Sequence, residues 1–355
     1  MHNSSLPAHA PLAVATRGDA VESVHLGSVA VVDAAGRLLF VAGDSQAMVF
    51  TRSALKPLQA LPFVAMGGPA RFGYDDRQIA LLCASHSGEP RHVDAVADML
   101  ARAGNAERDL QCGSHAPGYY EVRGDVPPPP PYSPLAHNCS GKHAGMLACC
   151  ALNGWRKDDY LAFDHPLQRE IRRSVAAFCG VEEAALVPGI DGCSAPNYAM
   201  PLARLALAFA RLAVAERDDA DLGGAPARLR DAMVAHPVMV SGEGRSDLAL
   251  AQAGGGDWIA KIGAEGVQGI GIRSRGLGVA VKVADGSRRA LLPAVVAVLE
   301  QIGVLDDERR LALAPLARPS LANYRRLPTG EVRPVVRLAP AGPGGTRKAC
   351  DNPAA

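Results

Sequence analysis

A serine becomes a useful nucleophile only when a neighbouring group takes its proton, and a desolvated lysine amine is one group that can. Ser53 stands three residues before Lys56 in Thr51-Arg52-Ser53-Ala54-Leu55-Lys56-Pro57-Leu58. Residues three apart share one face of a helix, so the Lys56 amine is expected within reach of the Ser53 hydroxyl. Read alone, the pair also fits a capping serine followed by a surface lysine. Two later stretches add to it: Ser85-His86-Ser87, after an apolar run, and Lys261-Ile262-Gly263, inside a short apolar stretch. Cys139 and Cys193 lie in separate glycine-containing loops, and two thiolates with one or two further donors suffice for a zinc site. Spacing alone points to His137 or His143 as a third ligand, because imidazole is the commoner donor. Neither a C-x-x-C pair nor an H-E-x-x-H motif is present.

The elements that must position these groups are readable in outline. Ser28–Asp33 and Arg37–Ala42 read as two strands of a hairpin around Ala34-Ala35-Gly36. The Ser53 helix follows, limited or bent by Pro62. Ile79–Ala84 is apolar and ends in Ser85-His86-Ser87-Gly88, and a helix from about Glu89 to Gly104 comes next. Ser85 is thus expected on a turn between ordered elements. The five prolines Pro127 to Pro131 should form an extended surface connector, His137–His143 opens a helix to about Asn153, and Asp164 caps another. Pro188–Pro196 reads as a glycine-rich loop before a helix from about Met200. Trp258–Gly263 and Gly278–Val283 read as strands, the second turning through Asp285-Gly286 into a long apolar helix. Strands at both ends with helices between predict an α+β fold: one antiparallel sheet from both chain ends, flanked by helices, with a mainly helical middle region.

Composition bounds the class. The chain has 355 residues, 48% hydrophobic and 21% charged, ample for a sizeable core. A formal net charge of +1 argues against a protein built to track nucleic acid or anionic membrane. No apolar run is long enough to span a bilayer, and residues 1–20 lack the pattern of a secretory signal. The cytoplasm is the expected location. Eight cysteines, including the adjacent pair Cys149-Cys150, then read mainly as buried thiols.

The order S-x-x-K, serine triplet, lysine-glycine strand is that of serine β-lactamases and penicillin-binding proteins. Here His86 and Ser87 stand where S-D-N is expected, and Lys261-Ile262-Gly263 lacks the threonine of K-T-G. Both departures weaken that assignment. A closer match is carried by five blocks in order: Thr51–Pro57, Cys83–Pro90, His137–Met146, Gly189–Cys193 and Ala260–Gly266. Together they resemble the rhizobial-type L-asparaginases, often labelled asparaginase II, over about residues 23–338.

That resemblance implies a serine β-lactamase-like and glutaminase-like fold, assembled as a homodimer. It implies two catalytic serine-lysine pairs around one site, Ser53 with Lys56 and Ser85 with Lys261. Arg52, His86 and Asp191 become substrate contacts, Asp191 alternatively supporting the ligand shell. One zinc ion per chain is implied beside the site, held by Cys139, Lys142 and Cys193 with water, in place of the histidine guess. A lysine ligand must be neutral, so Lys142 would need a lowered pKa. The expected organisation is a loose leader over 1–22, a single domain over 23–338 with a sheet lobe (about 23–75 and 256–338) and a helical lobe (about 76–255), and a disordered tail over 339–355. The expected activity is hydrolysis of L-asparagine to L-aspartate and ammonia through an acyl-enzyme. A glutaminase, a β-lactamase-like amidohydrolase and a non-catalytic zinc-stabilised amino-acid-binding protein are the rivals.

Overall fold

The computed structural model describes residues 6–217 and 222–342. Its main sheet is built from strands of both chain ends: β1 (Ala10–Arg17), β2 (Ala20–Asp33), β3 (Leu38–Ala42), with β4 (Met48–Phe50), β5 (Val187–Ile190) and β6 (Pro196–Pro201) forming a separate small sheet, and then β7 (Trp258–Gly263), β8 (Val267–Ile272), β9 (Leu277–Val283), β10 (Ser320–Ala322), β11 (Pro328–Pro334) and β12 (Ala339–Pro340). The order across the main sheet is β10-β11-β1-β2-β9-β8-β7, with β3 also paired to β2 and β12 to β3. Every pairing is antiparallel. The α+β architecture with a sheet from both ends is as the sequence predicts, and β7, which carries Lys261, is an edge strand.

The sheet is covered on both faces, which is why Val29–Val32 of β2 and Val279–Val281 of β9 are apolar without interruption. Along β2, Val29 and Val31 pack with Ala290, Leu291 and Val295 of the helix Arg288–Gln301. Ala30 and Val32 belong instead to the core that contains Leu205, Ala206 and Phe209 of the helix Leu202–Val214. That second helix lies against glycines. A Cβ added to Gly278 would stand 1.9 Å from the Ala206 carbonyl oxygen, so only a bare backbone lets the helix sit so low on the sheet.

Several expectations are corrected. Residues 10–17 are not a loose leader: β1 pairs with β2 and β11, and Leu12, Ala13 and Ala15 are fully buried. The apolar run there is short and begins at a proline, so its strand character shows only when two partner strands satisfy its backbone. Strand β8 was not foreseen because Gly269 and Gly271 interrupt its pattern, and both accommodate the helix Leu202–Val214. The stretch expected as a loop from Pro188 is a hairpin of β5 and β6 with its tip at Asp191–Ala195. His165, one residue after the expected Asp164, caps the helix Pro166–Cys179. Within the expected tail, Ala339 and Pro340 pair with β3, and 343–355 lie outside the described residues. Leu202–Val214, from the segment expected as a helical lobe, packs on the sheet. The seven cysteines among the described residues are free and buried. No described helix is long and apolar enough to cross a membrane.

Candidate active site

Ser53 sits on a short 3-10 turn, Arg52–Leu55, that runs into the helix Lys56–Ala65. The residue before it is strained: Arg52 has φ +50°, a left-handed conformation that a side chain makes unfavourable. The buried amide of Asn197 on β6 holds that peptide unit from both sides. Its Oδ1 accepts from the Arg52 N–H at 3.0 Å and its Nδ2 donates to the Arg52 carbonyl at 3.0 Å. The Thr51 hydroxyl lies 3.3 Å from the same Oδ1 and donates to the Tyr198 carbonyl at 3.0 Å. Edge strand β7 closes on the turn through a glycine, since a Cβ on Gly263 would meet the Thr51 carbonyl oxygen at 2.6 Å and the Arg52 Cβ at 3.3 Å. The turn is therefore clamped between β6 and β7, with Ser53 half-buried at its apex.

Both lysines converge on the other serine. Ser85 lies just past the helix Asp76–Leu82, where its N–H bonds the Val240 carbonyl at 2.9 Å. Lys56 and Lys261 are each fully buried. Their amines lie 3.0 Å and 2.9 Å from the Ser85 hydroxyl oxygen. Lys56 also donates to the carbonyls of Ala84 and, at 3.3 Å, Asn138. Lys261 donates to the Ile262 carbonyl at 2.9 Å and to Asp247 at 3.3 Å. The expected pairing is thus changed: the Lys56 amine is bonded to Ser85, and no hydrogen bond links it to Ser53. The carbonyls of Ala84 and Asn138 explain the direction, because a buried ammonium goes where acceptors are. Burial pulls Lys261 down to about 8, with the Asp247 charge opposing and the Lys56 charge assisting.

The cysteine loops meet as well. Cys139 caps the helix Ser140–Asn153, which carries Lys142 and His143, and Cys193 is at the tip of the β5–β6 hairpin. The Lys142 amine donates to the Cys193 sulfur at 3.0 Å. The Cys139 thiol and then, against the effect of burial, the charge of Lys142 hold the Cys193 thiol well below its ordinary value. Contact with Cys193 and burial push Cys139 the other way. Burial disfavours the Lys142 ammonium, yet the charges of Cys193 and Cys139 outweigh it and hold its pKa above the ordinary value, opposite to what a neutral ligand needs. The Tyr160 hydroxyl accepts from the Gln111 N–H at 3.0 Å and lies 2.7 Å from His143 Nδ1. This leaves His143 Nε2 buried beside the sulfurs with no hydrogen-bond partner. Two sulfurs and a lysine amine are N/S donors of the kind zinc takes, so the residues fit that metal once the amine gives up its proton. Among the described residues, no three or more His, Cys, Asp or Glu side chains form a metal-holding group, and the lysine is what would complete this one.

The hairpin that brings Cys193 also brings Asp191, whose Oδ1 accepts from Arg52 Nε at 2.8 Å and from the Gly192 N–H at 2.9 Å. One salt bridge therefore links the serine turn to the cysteine loop. An L-asparaginase II family model matches residues 13–334.

The chain belongs to the L-asparaginase II family.

It is accordingly an asparaginase-type amidohydrolase, whose substrate is an amino-acid amide. Among solved structures, this L-asparaginase II family member is similar to a proposed β-lactamase from Bacteroides dorei, at 13% identity and TM-score 0.44 over 78% of this chain and 93% of that one. It is also similar to Mglu in its glutamate form, at 18% identity and TM-score 0.37 over 78% of this chain and 61% of that one. No curated protein matches.

Of the ten site residues that the sequence singles out, Lys56, Ser85 and Lys261 form one hydrogen-bonded group, Arg52 and Asp191 a second, and Cys139, Lys142 and Cys193 a third. His86 is corrected. It is 2% exposed, its Nδ1 accepts from the Gly88 N–H at 3.1 Å, and its Nε2 lies 2.9 Å from the Ser140 hydroxyl, which itself donates to the Leu135 carbonyl. Both ring nitrogens are taken, so the ring anchors the Ser85 turn and has none left for a ligand. Asn197, Asp247 and Gln268 were missed. No motif marks them, because their roles depend on strands and loops distant in sequence.

Proposed function

We propose that this L-asparaginase II family member hydrolyses L-asparagine to L-aspartate and ammonia through an acyl-enzyme on Ser53. The observation that carries the reading is the Ser85 hydroxyl held between two fully buried lysine amines, one of them on the lysine that follows a half-buried serine by three residues on a strained turn. Lys56, Ser85 and Lys261 form a proton wire. With one proton between the two amines, resting on Lys261, the Lys56 lone pair is free for the Ser53 hydroxyl. Ser53 Oγ then bonds to the side-chain amide carbon as its proton passes to Lys56, and backbone N–H groups at the turn hold the oxyanion. The C–N bond breaks as the wire delivers a proton to the leaving nitrogen, which departs as ammonia. Water attacks the ester, gives its proton to the wire, and Ser53 leaves reprotonated with aspartate released. Arg52 and Asp191, at the junction of the serine turn and the cysteine loop, are the proposed substrate contacts.

Cys139, Lys142 and Cys193 are the proposed zinc ligands, and bound zinc would supply positive charge that organises this side of the site. A homodimer in the cytoplasm completes the proposal, with light scattering expected to give twice the chain mass. The deciding assay is ammonia release by purified protein from L-asparagine, with L-glutamine and nitrocefin run beside it. Turnover of asparagine above both supports the reading. Binding of asparagine without ammonia release overturns it in favour of an amino-acid-binding protein.

A further inference from the structure

Lys261 carries one of two fully buried amines on a single hydroxyl, and something must hold that amine in place. A buried ammonium that only repels its neighbour would turn away from Ser85. Asp247 stands on its other side. It opens the helix Ser246–Gly254 and is 2% exposed. Its Oδ2 accepts from the Lys261 amine at 3.3 Å and from the Ile262 N–H of the same strand at 3.0 Å. Its Oδ1 accepts from Gln268 Nε2 on β8 at 3.2 Å. Gln268 is fully buried and also donates to the Gly269 carbonyl at 3.2 Å, while its own oxygen has no partner. Both bonds that Oδ2 accepts are therefore directed at the strand and lysine facing the serine, while Oδ1 is held by Gln268.

We propose that Asp247, oriented by Gln268, is the positioning residue of the proton wire: it holds the Lys261 amine on the Ser85 hydroxyl and keeps that amine charged until a proton is needed. This rests on the serine-lysine reading given above. Asp247 does not touch substrate, and it acts through Lys261. The charged and titratable groups facing Lys261 are Asp247 and Arg245 from the segment entering that helix, Lys56 from the helix Lys56–Ala65, and Cys83 at the end of the helix Asp76–Leu82. Cys83 is pushed up to about 12 by burial and stays a neutral thiol. Asp247 is thus the one anion among them, set against the basic groups Lys56 and Arg245.

The test is the pH profile of kcat/KM for ammonia release by the full chain. In the wild-type protein the profile should fall on its alkaline side as Lys261 loses its proton near 8. Asp247→Asn keeps the shape and removes the charge, so the alkaline limb should move to lower pH by about one unit, with a loss of about eightfold at pH 8.5. A limb that stays in place in a folded Asp247→Asn protein overturns the proposal, even if activity falls. Should that variant fail to melt cooperatively, Gln268→Met decides. It removes the donor that orients Asp247, so the limb should move to lower pH, in the same direction as in Asp247→Asn, and an unmoved limb overturns the proposal. Ser85→Ala and Lys261→Met in the same assay separate the two levels of the argument. If they retain near-normal turnover, the wire itself is wrong; if they are inactive while Asp247→Asn matches wild type, only the role of Asp247 fails.

Discussion

Asn197→Ala tests whether the strained turn before Ser53 is maintained by its neighbours. The substitution deletes two hydrogen bonds of 3.0 Å to the peptide unit of Arg52 and leaves both of its backbone groups without those partners, next to a side chain that is 2% exposed. Leaving a buried polar group unpaired costs about 1–3 kcal/mol. Against this, Arg52 at φ +50° stores roughly 1–2 kcal/mol that a relaxed turn recovers. The net loss of stability should therefore be about 2 kcal/mol, smaller than two orphaned groups alone would give, and the relaxation that limits it should move Ser53. A displacement near 1 Å at a reacting group costs on the order of 100-fold. Urea denaturation and steady-state ammonia release measure the two halves. Asn197→Asp, which keeps an acceptor for the Arg52 N–H and loses the donor to its carbonyl, should fall between. Turnover within twofold of wild type in an Asn197→Ala protein destabilised by 2 kcal/mol would refute the argument, because the turn would then hold its shape without the clamp.

Other outcomes follow from the same geometry. Ser53→Ala should abolish ammonia release with an unchanged melting curve, and retained turnover would sink the acyl-enzyme mechanism. Lys261 has a folded pKa of about 8 against 10.5, so the unfolded chain binds more protons between these values and this residue's penalty on stability, present below pH 8, disappears as pH rises towards 10.5. Activity should show the opposite trend over that window, since the wire then lacks the proton that ammonia takes away. Metal analysis should find about one zinc per chain, lost in Cys139→Ser and Cys193→Ser; metal-free wild-type protein would remove zinc from the proposal. Gly263→Ala should lower turnover by about tenfold or more and stability by roughly 1–3 kcal/mol, since its Cβ would meet the Thr51 carbonyl oxygen at 2.6 Å. An active, fully stable Gly263→Ala protein would mean that strand and turn can separate freely.

Most of the residues that the fold brings together were named before any fold was known, through five blocks that resemble one family more than through any single motif, and Lys142 only through that resemblance. The hairpin of β2 and β3, the helices after Ser53 and Glu89, and the strand carrying Lys261 were legible for another reason: periodicity and turn residues are local properties. Tertiary structure decided the rest. It placed Lys56 on Ser85 and away from Ser53, because the carbonyls that receive a buried ammonium come from residues 84 and 138, far along the chain. It took His86 out of substrate contact by engaging both ring nitrogens. It made a strand of residues 10–17, whose backbone is satisfied only between β2 and β11. And it recruited Asn197, Asp247 and Gln268, polar residues with no motif, whose value comes from being buried where one unpaired donor or acceptor is costly. Which chemistry is available is written in residue types; which atom meets which is decided by the partners that burial forces each polar group to find.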